Sequence, residues 1–165
     1  MTALERKPEG DLDGSLLRLA IGQAIMAPSS HNSQPWRFRI DHRHVEIWTD
    51  PRRALPVSDP LGRSKILSCG AALSFLVVAL RRHGQAARVE RLPDPTQPNL
   101  LARVTLAEHV VANADEVALS DAIDRRRTNR GPFVSKMVPI RDIIALRNAA
   151  EADGVWLDAV QDKAR

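Results

Sequence analysis

Arg63-Ser64-Lys65-Ile66-Leu67-Ser68-Cys69-Gly70-Ala71-Ala72-Leu73-Ser74-Phe75-Leu76-Val77-Val78-Ala79-Leu80-Arg81-Arg82-His83 is the stretch on which the fold turns. Ile66, Cys69, Gly70, Leu73, Leu76, Val77 and Leu80 recur at steps of three and four, the spacing that stacks side chains on one helix face. Gly84 follows as a stop, because glycine enters the left-handed conformation that closes a helix at little cost. Leu67, Ala71, Ala72, Phe75, Val78 and Ala79 fill most of the other faces. The pattern therefore predicts a helix buried nearly all round, at the centre of one core.

Working outward, Leu16, Leu17, Leu19, Ile21, Ala24 and Ile25 also keep helical spacing, with Asp13 or Ser15 as candidate N-cap and Pro28 as terminator. Trp36, Phe38 and Ile40 alternate with Arg37 and Arg39, and Val45, Ile47 and Thr49 alternate with Glu46 and Trp48. These are two strands of a hairpin that turns at residues 41–44. Beyond the central helix, residues 87–92 and 100–106 read as strands flanking the loop Pro93-Asp94-Pro95-Thr96-Gln97-Pro98. Residues 115–127 and 140–152 read as helices, and 155–160 alternates like a strand introduced by Gly154. That last strand has no later partner in the sequence, which points to one supplied by a missing segment or another copy. Helices and strands follow one another without regular alternation, so the expected class is α+β, helices packed on a mainly antiparallel sheet.

Composition narrows the function. The chain has 165 residues, 44% hydrophobic and 27% charged, the size and make-up of one globular domain. Its single cysteine, Cys69, excludes an internal disulfide and the paired thiolates of a structural zinc site, and points to the reducing cytoplasm. No run attains the roughly 18 apolar residues of a membrane span, and residues 1–11 lack the apolar stretch of a secretory signal, so no membrane partner is expected. The eight glycines include no G-x-G pair, which removes the Rossmann fingerprint and the P-loop. A net charge of +4 and a pI near 10.0 favour an anionic partner, and only four of the 24 basic residues are lysines. Aromatic residues make up 4%, with no tyrosine, too few for a nucleic-acid stacking array. His42 and His44 are either a loose metal pair or exposed turn residues.

Two constellations carry chemistry. Ala27-Pro28-Ser29-Ser30-His31-Asn32-Ser33-Gln34-Pro35-Trp36 pins hydroxyl and amide groups between two prolines. Such a loop either reads the edge of a flat heteroaromatic ring or simply terminates a helix with capping side chains. Asp124-Arg125-Arg126-Arg127-Thr128-Asn129-Arg130-Gly131-Pro132-Phe133 places four arginines and a hydroxyl where a helix gives way to a loop. Two arginine forks and a hydroxyl match a phosphomonoester, and equally suit a solvated helix end whose dipole they complement.

The runs APSSHNSQPWRF, DPLGRSKILSCGAAL and RRRTNRGPF resemble the Acg family of FMN-binding proteins within the nitroreductase superfamily, in order, from the first helix to Val160. The resemblance implies a nitroreductase-like α+β fold, here an incomplete pseudo-dimer. Residues 1–12 are then a flexible arm, 13–112 a first half, and 113–165 the truncated start of a second. It implies FMN as cofactor, with Pro28, Ser29, Ser30, Asn32 and Gln34 at the isoalloxazine and ribityl groups and Arg126, Arg127, Thr128 and Arg130 at the phosphate. NAD(P)H and a small nitroaromatic or quinone acceptor follow as partners, with self-association or the missing half completing the site. The alternatives are a flavin-storing protein without turnover, or an inactive fragment. No side-chain nucleophile is implied, and His31 is either a proton donor or a plain surface or packing residue.

Overall fold

A computed structural model of the chain describes residues 9–160. Two compact units divide it, the first ending at Thr128 and the second beginning at Asn129. The first holds helix α1 (Glu9–Ala24), strands β1 (Trp36–Asp41) and β2 (His44–Thr49), helix α2 (Arg63–Arg82), strands β3 (Gln85–Arg91) and β4 (Leu100–His109), and helix α3 (Ala114–Arg125). Helix α4 (Ile140–Ala152) belongs to the second.

The four strands form one antiparallel sheet in the order β1-β2-β4-β3. Alternation explains which face is which. Val45, Ile47, Leu100, Ala102, Val104 and Leu106 are buried against the helices, joined by half-buried Phe38, Ile40, Ala87 and Val89. Across β2, β4 and β3 the register sets Glu46 opposite Arg103 and Arg103 opposite Glu90. Arg103 Nη2 donates to Glu46 Oε1 at 2.9 Å, and Trp48 Nε1 donates to Glu46 Oε2 at 3.0 Å. Burial pushes the Glu46 carboxyl up, but these donors and the Arg103 charge outweigh it and leave the group below its ordinary value.

Helix α2 lies on the apolar face. Cys69, Ala72, Leu76, Ala79 and Leu80 form its buried stripe and meet Leu17, Ala20 and Ala24 of α1. The expectation of burial all round is corrected here. Ile66 and Leu67 are 52% and 75% exposed, because the sheet, α1 and α3 cover one stripe and its flanks and leave the opposite side open. By length and composition alone α2 could also cross a membrane, contrary to the hydropathy reading, although a helix laid on a sheet passes the same test. The expected stop is present: Gly84 has φ 75°, and a Cβ there would stand 3.2 Å from the Val110 carbonyl oxygen.

Helix α1 begins at Glu9, so residues 9–12, read from sequence as arm, are helical, while residues 1–8 lie outside the described residues. Helix α3, assigned by the resemblance to the second half, lies in the first unit, where Arg81 Nε meets Glu116 Oε1 at 2.8 Å. Its start is a reciprocal cap: Asn113 Oδ1 accepts from Glu116 N, and Glu116 Oε2 accepts from Asn113 N, both at 2.9 Å. In the second unit α4 ends at Ala152, and Gly154 two residues on has a φ of 74°, the left-handed closing conformation. The strand expected at 155–160 does not form. A strand needs a hydrogen-bonding neighbour, and the described part of that unit contains no other strand.

Two substitutions test this packing by urea denaturation. Leu76→Ala removes a fully buried side chain from the helix-sheet contact and is expected to cost about 2–5 kcal/mol. Asn113→Ala removes the α3 cap and is expected to cost about 1 kcal/mol.

Candidate functional site

The polar loop joins α1 to β1 at the end of the sheet where Trp36 is buried. A single turn of 3-10 helix, Ser30–Asn32, forms its crown, with Asn32 N donating to Ser29 O and Ser33 N to Ser30 O, each at 3.0 Å. His31, Asn32 and Gln34 have φ of 53°, 54° and 47°. Asparagine and histidine are among the residues that enter this left-handed region most readily, while Gln34 is held there against a cost of about 1–3 kcal/mol. Concentrated strain of this kind persists only where surrounding contacts fix it.

Those contacts are specific. Gln34 N donates to Ser29 Oγ at 3.0 Å, so the Ser29 hydroxyl braces the loop across its neck. Ser30 N donates to Ser68 Oγ at 3.4 Å, and Ser68 Oγ donates to the Ser64 carbonyl at 2.7 Å, which ties the crown to α2. At the exit, Arg53 Nη1 donates to the carbonyls of Ser33 (3.3 Å) and Gln34 (3.1 Å), and Asp50 N donates to that of Pro35 (2.8 Å). The Cys69 thiol also faces the Pro35 carbonyl, with Sγ at 3.6 Å. Among the candidates, Gln34 Nε2 lies 3.4 Å from Asn32 Oδ1, and the Ser30 hydroxyl makes no hydrogen bond with a described residue. His31 is exposed.

The arginine run begins at the C-terminus of α3. The Arg126 guanidinium donates from Nη1 to Thr128 Oγ1 at 3.2 Å and from Nη2 to the Met26 carbonyl at 3.4 Å. Met26 stands two residues before Pro28, so the first unit brings Arg126, Thr128 and the root of the loop together across 100 residues of sequence. Arg126 Nε is buried with no hydrogen-bond partner among the described residues. Beside it lies an open depression of about 530 Å³, lined by Phe75, Leu119, Ala122, Ile123, Arg125 and Arg126. Arg127 is placed differently. Its Nη1 donates to the carbonyls of Asp124 and Arg126, both at 2.7 Å, closing carbonyls that the end of α3 leaves open. Arg130 is exposed and belongs to the second unit.

Ser68, Arg53 and Asp50 were not singled out by sequence reasoning. Their partners are mostly backbone carbonyls and amides, which leave no side-chain signature. The one available signal was Ser68 recurring with Cys69 and Ala72 on the buried stripe of an otherwise aliphatic helix, where a polar group needs a partner. His42 and His44 each place Nε2 3.7 Å from an Asp41 carboxylate oxygen in the hairpin turn. Among the described residues no group of three or more His, Cys, Asp or Glu side chains is placed to hold a metal ion.

No family model matches the chain. By sequence it is 42% identical over 148 residues to the Mycobacterium tuberculosis H37Rv protein named "Putative NAD(P)H nitroreductase Rv3131", covering 90% of this chain and 43% of that protein. It is 35% identical over 160 residues to "Putative NAD(P)H nitroreductase acg" of the same organism, covering 96% of this chain and 48% of the other. The chain thus spans about half the length of the curated relatives it matches. Among solved structures, a "putative nitroreductase in complex with fmn" from Desulfovibrio desulfuricans superposes with a TM-score of 0.46 at 15% identity, over 82% of this chain and 90% of that one.

Burial pushes the Cys69 thiol up to about 11, and Lys65 offsets this only in part. The thiolate is the reactive form. Cys69 is therefore expected to react with a disulfide reagent at neutral pH far more slowly in the native chain than after denaturation, as followed by thiol titration.

Proposed function

Nine-tenths of this chain is homologous to Mycobacterium tuberculosis proteins that carry the NAD(P)H nitroreductase name, Acg among them, and on that premise we propose that it serves an FMN-binding oxidoreductase of nitroreductase type. The observation that supports this reading is the Arg126 guanidinium, bonded to the root of the polar loop while its buried Nε has no partner among the described residues. A buried donor of this kind costs free energy while unsatisfied, and a phosphate oxygen on a neighbouring flavin is a fitting acceptor for the Nη groups of the same guanidinium, whose present bonds are 3.2 and 3.4 Å long.

In this reading Arg126 and Thr128 hold the phosphate, and Arg127 keeps the α3 terminus closed, joining the phosphate contacts only by giving up its backbone carbonyls. Arg130 remains a candidate for the same group. Pro28, Ser29, Ser30, Asn32 and Gln34 meet the ribityl and ring edges, with the Ser30 hydroxyl and the Asn32 amide as the donors least engaged elsewhere. Bound FMN supplies hydride acceptance from NAD(P)H and delivery to a nitro or quinone acceptor. The chain's own part is binding, orientation and exclusion of water. Self-association or a further half completes the site, and the cytoplasm is its proposed location.

Fluorescence titration of the 165-residue chain with FMN tests the binding. Saturable quenching is expected, with Arg126→Ala weakening affinity about tenfold or more, the change that losing one charge-assisted contact produces. Arg127→Ala is expected to weaken it less. Unchanged affinity in Arg126→Ala removes that residue from the site. NADPH oxidation with and without a nitroaromatic acceptor then separates turnover from flavin storage.

A further inference from the structure

Three consecutive carbonyls at the exit of the polar loop accept hydrogen bonds from one short segment, residues 50–53. Arg53 Nη1 serves Ser33 and Gln34 at 3.3 and 3.1 Å, and Asp50 N serves Pro35 at 2.8 Å. The segment is itself stiff. Pro51 opens a turn of 3-10 helix, Pro51–Arg53, and Asp50 caps it, its Oδ1 accepting from Arg52 N at 3.1 Å. The Asp50 carboxylate is almost fully buried and grips Arg52 through Nε and Nη2, both at 3.1 Å, with Arg53 Nε at 3.9 Å. The Arg52 hydrogen bond holds the Asp50 carboxyl below its ordinary range, so the anchor is ionised at neutral pH.

The segment meets the loop where its backbone is strained. Gln34 has φ 47°, and its own carbonyl is one of the two that Arg53 takes. A peptide carbonyl and the amide of the next residue point in opposite directions, so drawing the Ser33 carbonyl toward Arg53 turns the Gln34 amide the other way. There it meets Ser29 Oγ at 3.0 Å. The Arg53 contacts and the Ser29 brace are thus two ends of one peptide orientation.

We infer that Arg53, anchored by Asp50, is a positioning residue that keeps the loop's carbonyl oxygens turned outward and its hydroxyl and amide donors available to a ligand rich in acceptors. The ligand half of this inference rests on the FMN reading above. The conformational half stands on this chain alone.

Amide hydrogen exchange on the flavin-free 165-residue chain tests the conformational half, and FMN titration the other. Arg53→Ala is expected to speed exchange at Gln34 and its loop neighbours about fivefold or more, the effect of losing at least one ordinary hydrogen bond, while α2 and β4 keep their protection. Arg53→Lys, which retains a cationic donor, is expected to restore part of the protection. FMN affinity is expected to fall by a similar factor in Arg53→Ala and to recover in step with the lysine variant. Arg88→Ala, which removes the same charge from an exposed position of β3, controls for general electrostatics and is expected to change neither readout.

Loop exchange unchanged in Arg53→Ala overturns the inference, as does a uniform rise across the whole chain, which marks Arg53 as a support of the fold. Raised loop exchange with FMN affinity intact overturns the ligand half. Raised loop exchange in Arg53→Ala, where the wild-type chain takes up no FMN, upholds the clamp and defeats FMN binding by this chain alone, so the two failures are distinct.

Discussion

The contact between the buried stripe of α2 and the apolar face of the sheet governs the first unit. Through Cys69, Ala72, Leu76, Ala79 and Leu80 one helix lies across strands drawn from both hairpins. The candidate site inherits its geometry from that contact. Ser68 and Cys69, adjacent on the stripe, reach the loop at Ser30 and Pro35, so a shift of α2 along the sheet would move both the crown and the exit of the polar loop. Arg126 reaches the loop root from α3, whose start is tied to α2 through Glu116 and Arg81.

Much of this was legible in the sequence because it rests on periodicity. The hairpin around residues 41–44, the central helix with its Gly84 stop, and both later helices follow from which positions are apolar. The differences share one cause, which is that a pattern shows what a segment can do and its neighbours decide what it does. Residues 155–160 alternate as a strand does, yet a strand is a relation between two segments. Helix α2 is apolar on most faces, yet burial depends on what arrives to cover Ile66 and Leu67.

The site divides along the same line. Residues whose chemistry sits in side chains, the serines and amides of the loop and the arginines after α3, were visible as types and spacing. Residues that act on backbone atoms were not. Arg53 is an arginine in a short charged run until the fold lays it beside two carbonyls, and Arg127 looks equivalent to Arg126 until the helix end claims it. The arginines of the run therefore take unlike positions. One member reaches toward the loop and the next is spent on the helix that presents it.

The strand order β1-β2-β4-β3 also bears on the sequence of events in folding. Each outer pair, β1 with β2 and β3 with β4, closes over a short connection, whereas β2 must find β4 across the whole of α2, as His44 finds Thr105. Loop-closure entropy has to be met before such a pairing returns anything, so local hairpins and helix precede the central seam. The Arg126–Met26 bond spans 100 residues and depends on α1 and α3 both being packed against α2. A contact between residues so distant in sequence is then among the last the chain forms as it folds and among the first it loses as it opens.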